Sequence, residues 1–282
     1  MQLLSIQSHV AYGHVGNSAA VFPLQRLGCE VWPVHTVQFS NHTGYGAWSG
    51  TVFSAAMIGE LVDGIAARGA LAACDGVISG YIGAADTGAA ILQAVAKVKA
   101  ANPAARYCCD PVIGDFGRGV FVRAGIPEFM REHAVRAADV VTPNHFELDC
   151  LSGRSTKTLE DARRAIDDIH AKGPTTILVT SLHTQETPND AIDLIASDRT
   201  GLVRVRTPKL PMTADGAGDL IAALFFFHLL REGAIAQALS RATSSVFGLL
   251  RRTADANARE MLLVEAQDEI VNPSTRFSAQ KI

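Results

Sequence analysis

The chain has 282 residues, of which 48% are hydrophobic and 19% are charged, so it contains enough apolar material for a large buried core. This composition excludes an intrinsically disordered chain, which would be poorer in apolar residues and richer in net charge. Lys and Arg number 25 against 28 Asp and Glu, giving a formal net charge of -3. That balance argues against a nucleic-acid-binding protein with a basic surface.

The cysteines and the N-terminus predict a cytoplasmic protein. Five cysteines occur at irregular spacing with no C-x-x-C pair, which predicts neither a disulfide framework nor a zinc ribbon. The first six residues lack the positive charge and the apolar run of a signal peptide. The most apolar stretch, residues 220–230, is shorter than the roughly 20 residues that span a membrane. We therefore expect a core helix there and no membrane partner.

Short apolar runs alternate with longer helical segments along the first two thirds of the chain. The runs predict strands at residues 3–6, 31–34, 76–79, 106–109, 139–141 and 176–180. The longer segments predict helices at residues 85–101 and 159–172. Repeated strand–helix–strand units imply right-handed crossovers, so the fold class is α/β, a three-layer αβα arrangement with a mostly parallel sheet.

The alternation of predicted strands and helices changes after residue 180. Two β-rich runs, residues 190–196 and 202–205, flank the turn-forming residues 197–201 and predict a hairpin. Two helices, at residues 219–231 and 235–251, are predicted to follow it. Because no linker-like or repetitive segment interrupts residues 1–282, we expect a single domain.

The sharpest local feature is the glycine-rich sequence 215–219 that leads into the apolar helix. Glycines at the start of a helix let backbone N–H groups approach an anion, and the helix dipole favours negative charge there. In that position Asp219 fits a general base acting on an alcohol. An ordinary capping role for an Asp after a glycine turn remains open.

Other familiar catalytic motifs are absent from the sequence. It contains no G-x-x-x-x-G-K-[ST], no H-E-x-x-H and no G-x-S-x-G, and Gly216-x-Gly218 lacks the third glycine of a dinucleotide fingerprint. The histidines are scattered. His9, His14 and His42 are therefore predicted to be polar pocket or loop residues rather than metal ligands.

Two acidic residues at predicted strand ends are candidates for holding a magnesium–nucleotide complex. Asp110 precedes Pro111, and Glu147 begins a helix after Asn144. Magnesium commonly takes one or two carboxylates together with phosphate oxygens. Asn144 and Glu147 also fit a capping box, and both roles stay open. Residues 114–119, which include three glycines, are predicted to form either a lid or a plain turn.

Six segments together resemble the pyridoxal kinases of the ribokinase-like superfamily. Two of them, residues 7–20 and 41–46, are specific to the pyridoxal branch, whereas Asp110-Pro111-Val112 and the Gly216–Asp219 motif fit many sugar and vitamin kinases. The other two are residues 79–83 and 142–148. The resemblance spans nearly the whole chain. It implies ATP-dependent phosphorylation of the 5′-hydroxymethyl group of pyridoxal, with pyridoxine and pyridoxamine as further candidate substrates.

The resemblance also implies roles for individual residues. Asp219 would be the base and would contact substrate, with Gly216, Ala217 and Gly218 as the anion hole. The pyridoxal pocket would comprise Ser8, Thr43, Gly44 and Tyr81. The ATP side would comprise Asp110, Thr142, Glu147, Thr180, Thr207, Pro208, Lys209 and Leu210. Asp110 and Glu147 would hold Mg²⁺ directly or through water, a monovalent cation such as K⁺ would be a further candidate, and a homodimer is expected.

The sequence departs from related kinases at two places. Thr180 stands where some relatives have a lysine, so that phosphate-contacting ammonium is missing. The segment 114–119 has no cysteine of the kind that one branch uses to trap the pyridoxal aldehyde, and Arg118 is a candidate source of positive charge there. A hydroxymethylpyrimidine or sugar kinase and a non-catalytic pyridoxal 5′-phosphate-binding protein remain the alternatives.

Overall fold

The computed structural model describes residues 1–212 and 214–282, and within them a ten-stranded sheet separates two layers of helices. The strands of this sheet are Gln2–Val10 (β1), Glu30–Phe39 (β2), Gly50–Val52 (β3), Gly76–Ser79 (β4), Arg106–Cys109 (β5), Val140–Val141 (β8), Thr176–Leu182 (β9), Ala191–Asp198 (β10), Gly201–Pro208 (β11) and Gln280–Lys281 (β12). A separate small hairpin joins Gly114–Asp115 (β6) to Gly119–Val120 (β7).

The helices that cover the sheet are mostly the crossovers between parallel strands. They are Asn17–Arg26 (α1), Ala55–Ala66 (α2), Ala85–Ala101 (α3), Ile126–Phe129 (α4), Val135–Ala137 (α5), His145–Ser152 (α6), Leu159–His170 (α7), Ala217–Glu232 (α8), Ile235–Asp255 (α9) and Asp268–Val271 (α10). A π-helical turn at Met130–Ala134 links α4 to α5. None of the helices in the described residues is both long and apolar enough to cross a membrane.

The sheet is parallel at its centre and antiparallel at its edges. Its order is β12-β11-β10-β9-β8-β5-β4-β1-β2-β3, and the six strands from β9 to β2 run parallel. The predicted hairpin is confirmed as β10 and β11, which pair from Ala191 with Pro208 to Asp198 with Gly201. The predicted α/β class with a mostly parallel sheet is therefore confirmed.

Successive side chains of the central strands pack alternately into the hydrophobic layers on the two faces of the sheet. Leu4 and Ile6 of β1 pack with α2, α3 and α7 on one face, whereas Leu3 packs with α1, α8 and α9 on the other. The same division holds in β9, where Ile177 and Val179 face one layer and Leu178 faces the other. Because successive side chains of a strand point to opposite faces, a strand covered on both sides must be apolar throughout.

Several elements were not predicted from the sequence. Helix α1 contains Pro23, and α2 contains Gly59 and Gly64, residues that weaken a helical pattern. The segment 114–119, predicted to be a lid or a turn, forms the β6–β7 hairpin. The predicted strand at residues 31–34 extends to Phe39, and the last long helix extends to Asp255.

Candidate active site

A cavity of about 470 Å³ opens at the carboxyl end of the parallel strands. Its wall includes Ser8 near the end of β1, Phe39 at the end of β2, and Asp110 directly after β5. This is the position at which open parallel sheets bind ligands, because the loops leaving neighbouring strands diverge there. Its size is that of a small-molecule site.

One part of the cavity is apolar and aromatic. Val10, Val37 and Phe39 are buried together, and Tyr81 packs against them. The Trp48 ring lies against Phe39, with 4.1 Å between the ring centroids. Flat apolar walls of this kind suit an aromatic heterocycle, which loses little conformational entropy on binding.

A second part of the cavity carries two buried carboxyl groups. Asp110 and Glu147 are 6% and 4% exposed, and both line the cavity. Asp110 Oδ1 accepts the Thr142 hydroxyl at 2.8 Å. Burial, followed by the charges of Glu147 and Asp219, holds the pKa of Asp110 well above its usual value.

Glu147 caps the helix on which it lies. Its Oε2 accepts the Asn144 N–H at 2.9 Å, while Asn144 Oδ1 accepts the Glu147 N–H at 2.9 Å, so the capping box is complete. Its Oε1 accepts the Ile113 N–H at 2.8 Å. Burial nevertheless raises the pKa of Glu147 to about 7, although hydrogen bonds from the backbone N–H groups of Asn144, Ile113 and Gly114 lower it. The carboxyl group is thus both a structural cap and part of the cavity wall.

Asp219 lies in the first turn of α8 and also lines the cavity. Burial raises its pKa, while the Gly16 N–H and the charge of His42 oppose the rise. The N-cap residue of α8 is Gly216, which has no side chain to cap the helix, so the first backbone N–H groups remain available to an anion. Asp219 therefore lies at a helix N-terminus whose backbone N–H groups are suited to an anion.

Gly216 has two reasons to be a glycine. Its φ is 83°, in the left-handed region, and a Cβ there would lie 1.7 Å from the His14 carbonyl oxygen. A Cβ on Gly218, in contrast, would meet no atom within 4 Å. The start of α8 is thus packed tightly against the loop that follows β1.

A histidine–aspartate pair lies at the same edge of the cavity. His42 Nδ1 is 2.9 Å from Asp215 Oδ2, and both residues line the cavity. The hydrogen bond from His42 lowers the pKa of Asp215. His42 was predicted to be a pocket residue, and its position agrees, whereas nothing in the sequence predicted its pairing with Asp215.

The β6–β7 hairpin forms another part of the cavity wall. Arg118 Nε donates to Asp115 Oδ2 at 2.8 Å, and its guanidinium lies 4.6 Å from the centre of the Phe121 ring. Asn144 Nδ2 donates to the Gly114 carbonyl oxygen at 2.8 Å and so ties the hairpin to the start of α6. Arg118 and Arg123 both line the cavity.

The structure brings ten of the sixteen predicted site residues to the cavity wall: Ser8, Thr43, Tyr81, Asp110, Thr142, Glu147, Thr180, Gly216, Gly218 and Asp219. Gly44 and Ala217 are their immediate neighbours in the chain. The segment Thr207, Pro208, Lys209 and Leu210 is not part of the wall: it ends β11, and the Lys209 N–H donates to Asp190 O at 2.7 Å. Sequence reasoning missed Trp48, Phe121 and Arg123, which carry no motif signal.

The donor set fits a hard divalent cation that is shared with phosphate. Among residues 1–212 and 214–282 no cluster of three or more His, Cys, Asp or Glu could hold a metal by itself. Asp110 and Glu147 supply two buried carboxyl groups, and burial is the main cause that raises the pKa of each. Mg²⁺ needs only one or two carboxylates when water and phosphate oxygens complete its shell.

Comparison with known proteins places this fold among kinases of the ribokinase-like fold. Residues 72–262 match the family model described as phosphomethylpyrimidine kinase. The pyridoxal kinase of Leishmania donovani in complex with ADP and pyridoxamine superimposes with a TM-score of 0.91 at 29% identity, covering 100% of this chain and 99% of that one.

Sequence relatives define the family more narrowly. Pyridoxal kinase PdxY of Granulibacter bethesdensis is 56% identical over 284 residues, covering 99% of both chains. Pyridoxal kinase PdxY of Rubrobacter xylanophilus is 53% identical over 283 residues, covering 100% of this chain and 98% of its own. The chain belongs to the pyridoxal kinase family, as its sequence resemblance predicted.

Proposed function

We propose that this chain transfers the γ-phosphoryl group of ATP to the 5′-hydroxymethyl group of pyridoxal, giving pyridoxal 5′-phosphate and ADP. The observation that carries the proposal is one cavity whose wall combines Asp219, in the first turn of a helix without a side-chain cap, with an aromatic part and two buried carboxyl groups. The solved relative described as a complex with ADP and pyridoxamine supports an adenine nucleotide and a pyridoxal-like compound as the two ligands. Pyridoxine and pyridoxamine are further candidate substrates.

Asp219 is proposed as the base. Its carboxylate takes the proton of the 5′-hydroxyl, the hydroxyl oxygen bonds to the γ-phosphorus, and the bond to the β,γ-bridging oxygen breaks. The backbone N–H groups of Gly216, Ala217 and Gly218 stabilise the charge on the transferred group. Since phosphoryl transfer depends on positioning and charge stabilisation, these fixed groups supply most of what the reaction needs.

The pyridoxal ring is proposed to occupy the aromatic end of the cavity. Its polar substituents are proposed to be held by hydroxyl and backbone groups in and beside four residues: Ser8, Thr43, Gly44 and Tyr81. ATP is proposed to occupy the other end, beside Asp110, Thr142, Glu147 and Thr180. Thr207, Pro208, Lys209 and Leu210 remain a proposed adenine-side segment with support from the family resemblance alone.

Mg²⁺ is proposed to be held by Asp110 and Glu147, directly or through water. When bound, it would neutralise the negative charge of the phosphates, which the carboxylates would otherwise repel. A monovalent cation such as K⁺ is proposed as a further requirement on the family resemblance. Activity measured with EDTA and then with Mg²⁺ restored, each in the presence and absence of K⁺, tests both cations.

We also propose that residues 1–282 form a single domain that assembles as a cytoplasmic homodimer without nucleic-acid partners. The continuous sheet and the mildly acidic net charge of -3 support the first and last of these statements. Analytical ultracentrifugation tests the dimer, for which a monomer at micromolar concentration would be the contrary result.

A substrate panel tests the proposed reaction. Purified protein with Mg-ATP is offered pyridoxal, pyridoxine, pyridoxamine, hydroxymethylpyrimidine and ribose, and ADP formation is measured for each. We expect turnover with pyridoxal and none with ribose. Preferential turnover of hydroxymethylpyrimidine would favour the activity named by the matching family model. No turnover together with tight binding of pyridoxal 5′-phosphate would favour a non-catalytic binding protein.

A further inference from the structure

Glu260 lies in the segment that follows α9, remote in sequence from the cavity residues. Its neighbours Met261 and Leu263 are each 1% exposed and pack into the layer formed by α8 and α9. The Leu262 N–H donates to Thr253 Oγ1 at 3.1 Å, which ties the segment to the end of α9. Glu260 therefore lies on a segment that packing and a hydrogen bond hold against α8 and α9.

The Glu260 carboxylate bridges two loops. Its Oε1 accepts the Tyr45 hydroxyl at 2.5 Å, and its Oε2 accepts the His14 N–H at 3.1 Å. The adjacent Arg259 guanidinium lies 3.4 Å from the centre of the Tyr45 ring. Gly13 leaves room for the carboxylate, because a Cβ there would lie 2.5 Å from Glu260 Oε2.

The first loop that Glu260 holds contains a proposed substrate-binding turn. Thr43 and Gly44 lie between His42, which bonds to Asp215, and Tyr45, which bonds to Glu260. The turn is therefore fixed at both ends by carboxylates from separate parts of the chain. Thr43 and Gly44 are themselves exposed, so buried packing contributes little to holding this turn.

The second loop that Glu260 holds supports the proposed base. The His14 carbonyl oxygen packs against Gly216, and the Gly16 N–H opposes the rise in the pKa of Asp219. The hydrogen bond from the His14 N–H to Glu260 therefore fixes the backbone that surrounds the start of α8. The cavity wall within residues 1–212 and 214–282 does not include Glu260 itself, so its effect must pass through these loops.

We propose that Glu260 is a positioning residue for pyridoxal, fixing the Thr43–Gly44 turn through Tyr45 and the loop before α1 through His14. This inference rests on the proposed function for the identity of the substrate. The ATP side is built from the loops after β5 and β8 and from β9, which Glu260 does not contact. Loss of the bridge is therefore expected to affect pyridoxal more than ATP.

Steady-state kinetics of Glu260→Gln and Tyr45→Phe test the proposal. Glutamine keeps one acceptor oxygen and loses the other, and phenylalanine removes only the Tyr45 hydroxyl. We expect kcat/KM for pyridoxal to fall about tenfold in each variant. In Tyr45→Phe this fall should come from a higher KM for pyridoxal. The KM for ATP should stay within about twofold of wild type. The double variant is expected to fall by less than the product of the two single effects, because both substitutions weaken the same contact between Tyr45 and Glu260.

Glu265→Gln is the matched control, since Glu265 is an exposed acid five residues further along the same segment. It is expected to leave both KM values and the melting temperature unchanged. Equal increases in the KM for pyridoxal and the KM for ATP, or a change in melting temperature without a change in the KM for pyridoxal, would overturn the proposal.

Hydrogen exchange separates this proposal from the proposed function. Amides of residues 11–16 and 41–46 are expected to exchange faster in Glu260→Gln than in wild type or Glu265→Gln, whatever the substrate is. Unchanged exchange would overturn the positioning role even if pyridoxal is phosphorylated. Faster exchange in a chain that does not phosphorylate pyridoxal would instead reject the proposed function and keep the bridge.

Discussion

Glu147 shows how one side chain can serve the fold and the site at the same time. It completes the capping box of α6 with Asn144, and it also lines the cavity beside Asp110. A capping glutamate on an exposed helix would have an ordinary pKa, whereas burial raises that of Glu147 to about 7. The two interpretations that the sequence left open are therefore compatible.

The raised pKa of Glu147 predicts a pH-dependent stability. A carboxyl group whose pKa is higher in the folded than in the unfolded state binds more protons when folded, so its stabilising contribution is complete below the unfolded value and is lost as pH rises through the folded value. For Glu147 this window runs from about 4.5 to about 7. We expect the melting temperature without Mg²⁺ to decline across this window, and to decline less in Glu147→Gln.

The same carboxyl groups predict a pH-dependent effect of magnesium. The proposed Mg²⁺ would compete with protons for Asp110 and Glu147, so it should raise the melting temperature more at pH 8 than at pH 5.5. Differential scanning fluorimetry at both pH values, with and without MgCl₂ at about 10 mM, measures this difference. An equal shift at both pH values would contradict the assignment of these carboxyl groups to the metal.

At the scale of elements, the start of α8 depends on its contact with the loop after β1. Gly216 combines a φ of 83° with a close approach to the His14 carbonyl oxygen, and neither can accommodate a side chain. Gly218, two residues later, has open space around it. The two glycines of the motif therefore serve different purposes: one permits packing and the other leaves room beside the cavity.

This contrast predicts different stabilities for two alanine variants. Gly216→Ala should lower the melting temperature by about 5–10 °C, because the backbone must shift to relieve the overlap. Gly218→Ala should leave it unchanged or raise it by about 2 °C, since alanine is the better helix former. Thermal unfolding monitored by circular dichroism makes the comparison, and similar losses in both variants would be inconsistent with this packing.

At the scale of the whole molecule, residues close to a strand end could be predicted, whereas contacts between distant segments could not. Asp110, Glu147 and Asp219 follow recognisable local patterns, and the parallel sheet brings them to one cavity. Glu260 meets Tyr45 and His14 across separations of 215 and 246 residues, and no local pattern marks it. Its position follows from the packing of Met261 and Leu263 and from the hydrogen bond between the Leu262 N–H and Thr253.

The fold itself was predictable where hydrophobic periodicity was strong. The central strands and α3, α7, α8 and α9 were recognised from their hydrophobic patterns, although β1 extends to Val10 and β2 to Phe39, beyond the predicted ends at residues 6 and 34. Helix α1 was missed because Pro23 interrupts it, and β3 because it has only three residues at the edge of the sheet. These elements form through tertiary contacts rather than through local preference.

The central claim is that phosphoryl transfer occurs in this cavity with Asp219 as the base, and Asp219→Asn tests it most directly. The variant keeps the size of the side chain and removes its ability to accept the proton. Single-turnover phosphorylation of pyridoxal should slow by about 10²–10⁴-fold, while ATP binding measured by calorimetry stays close to wild type. Near-normal turnover in Asp219→Asn would contradict the claim.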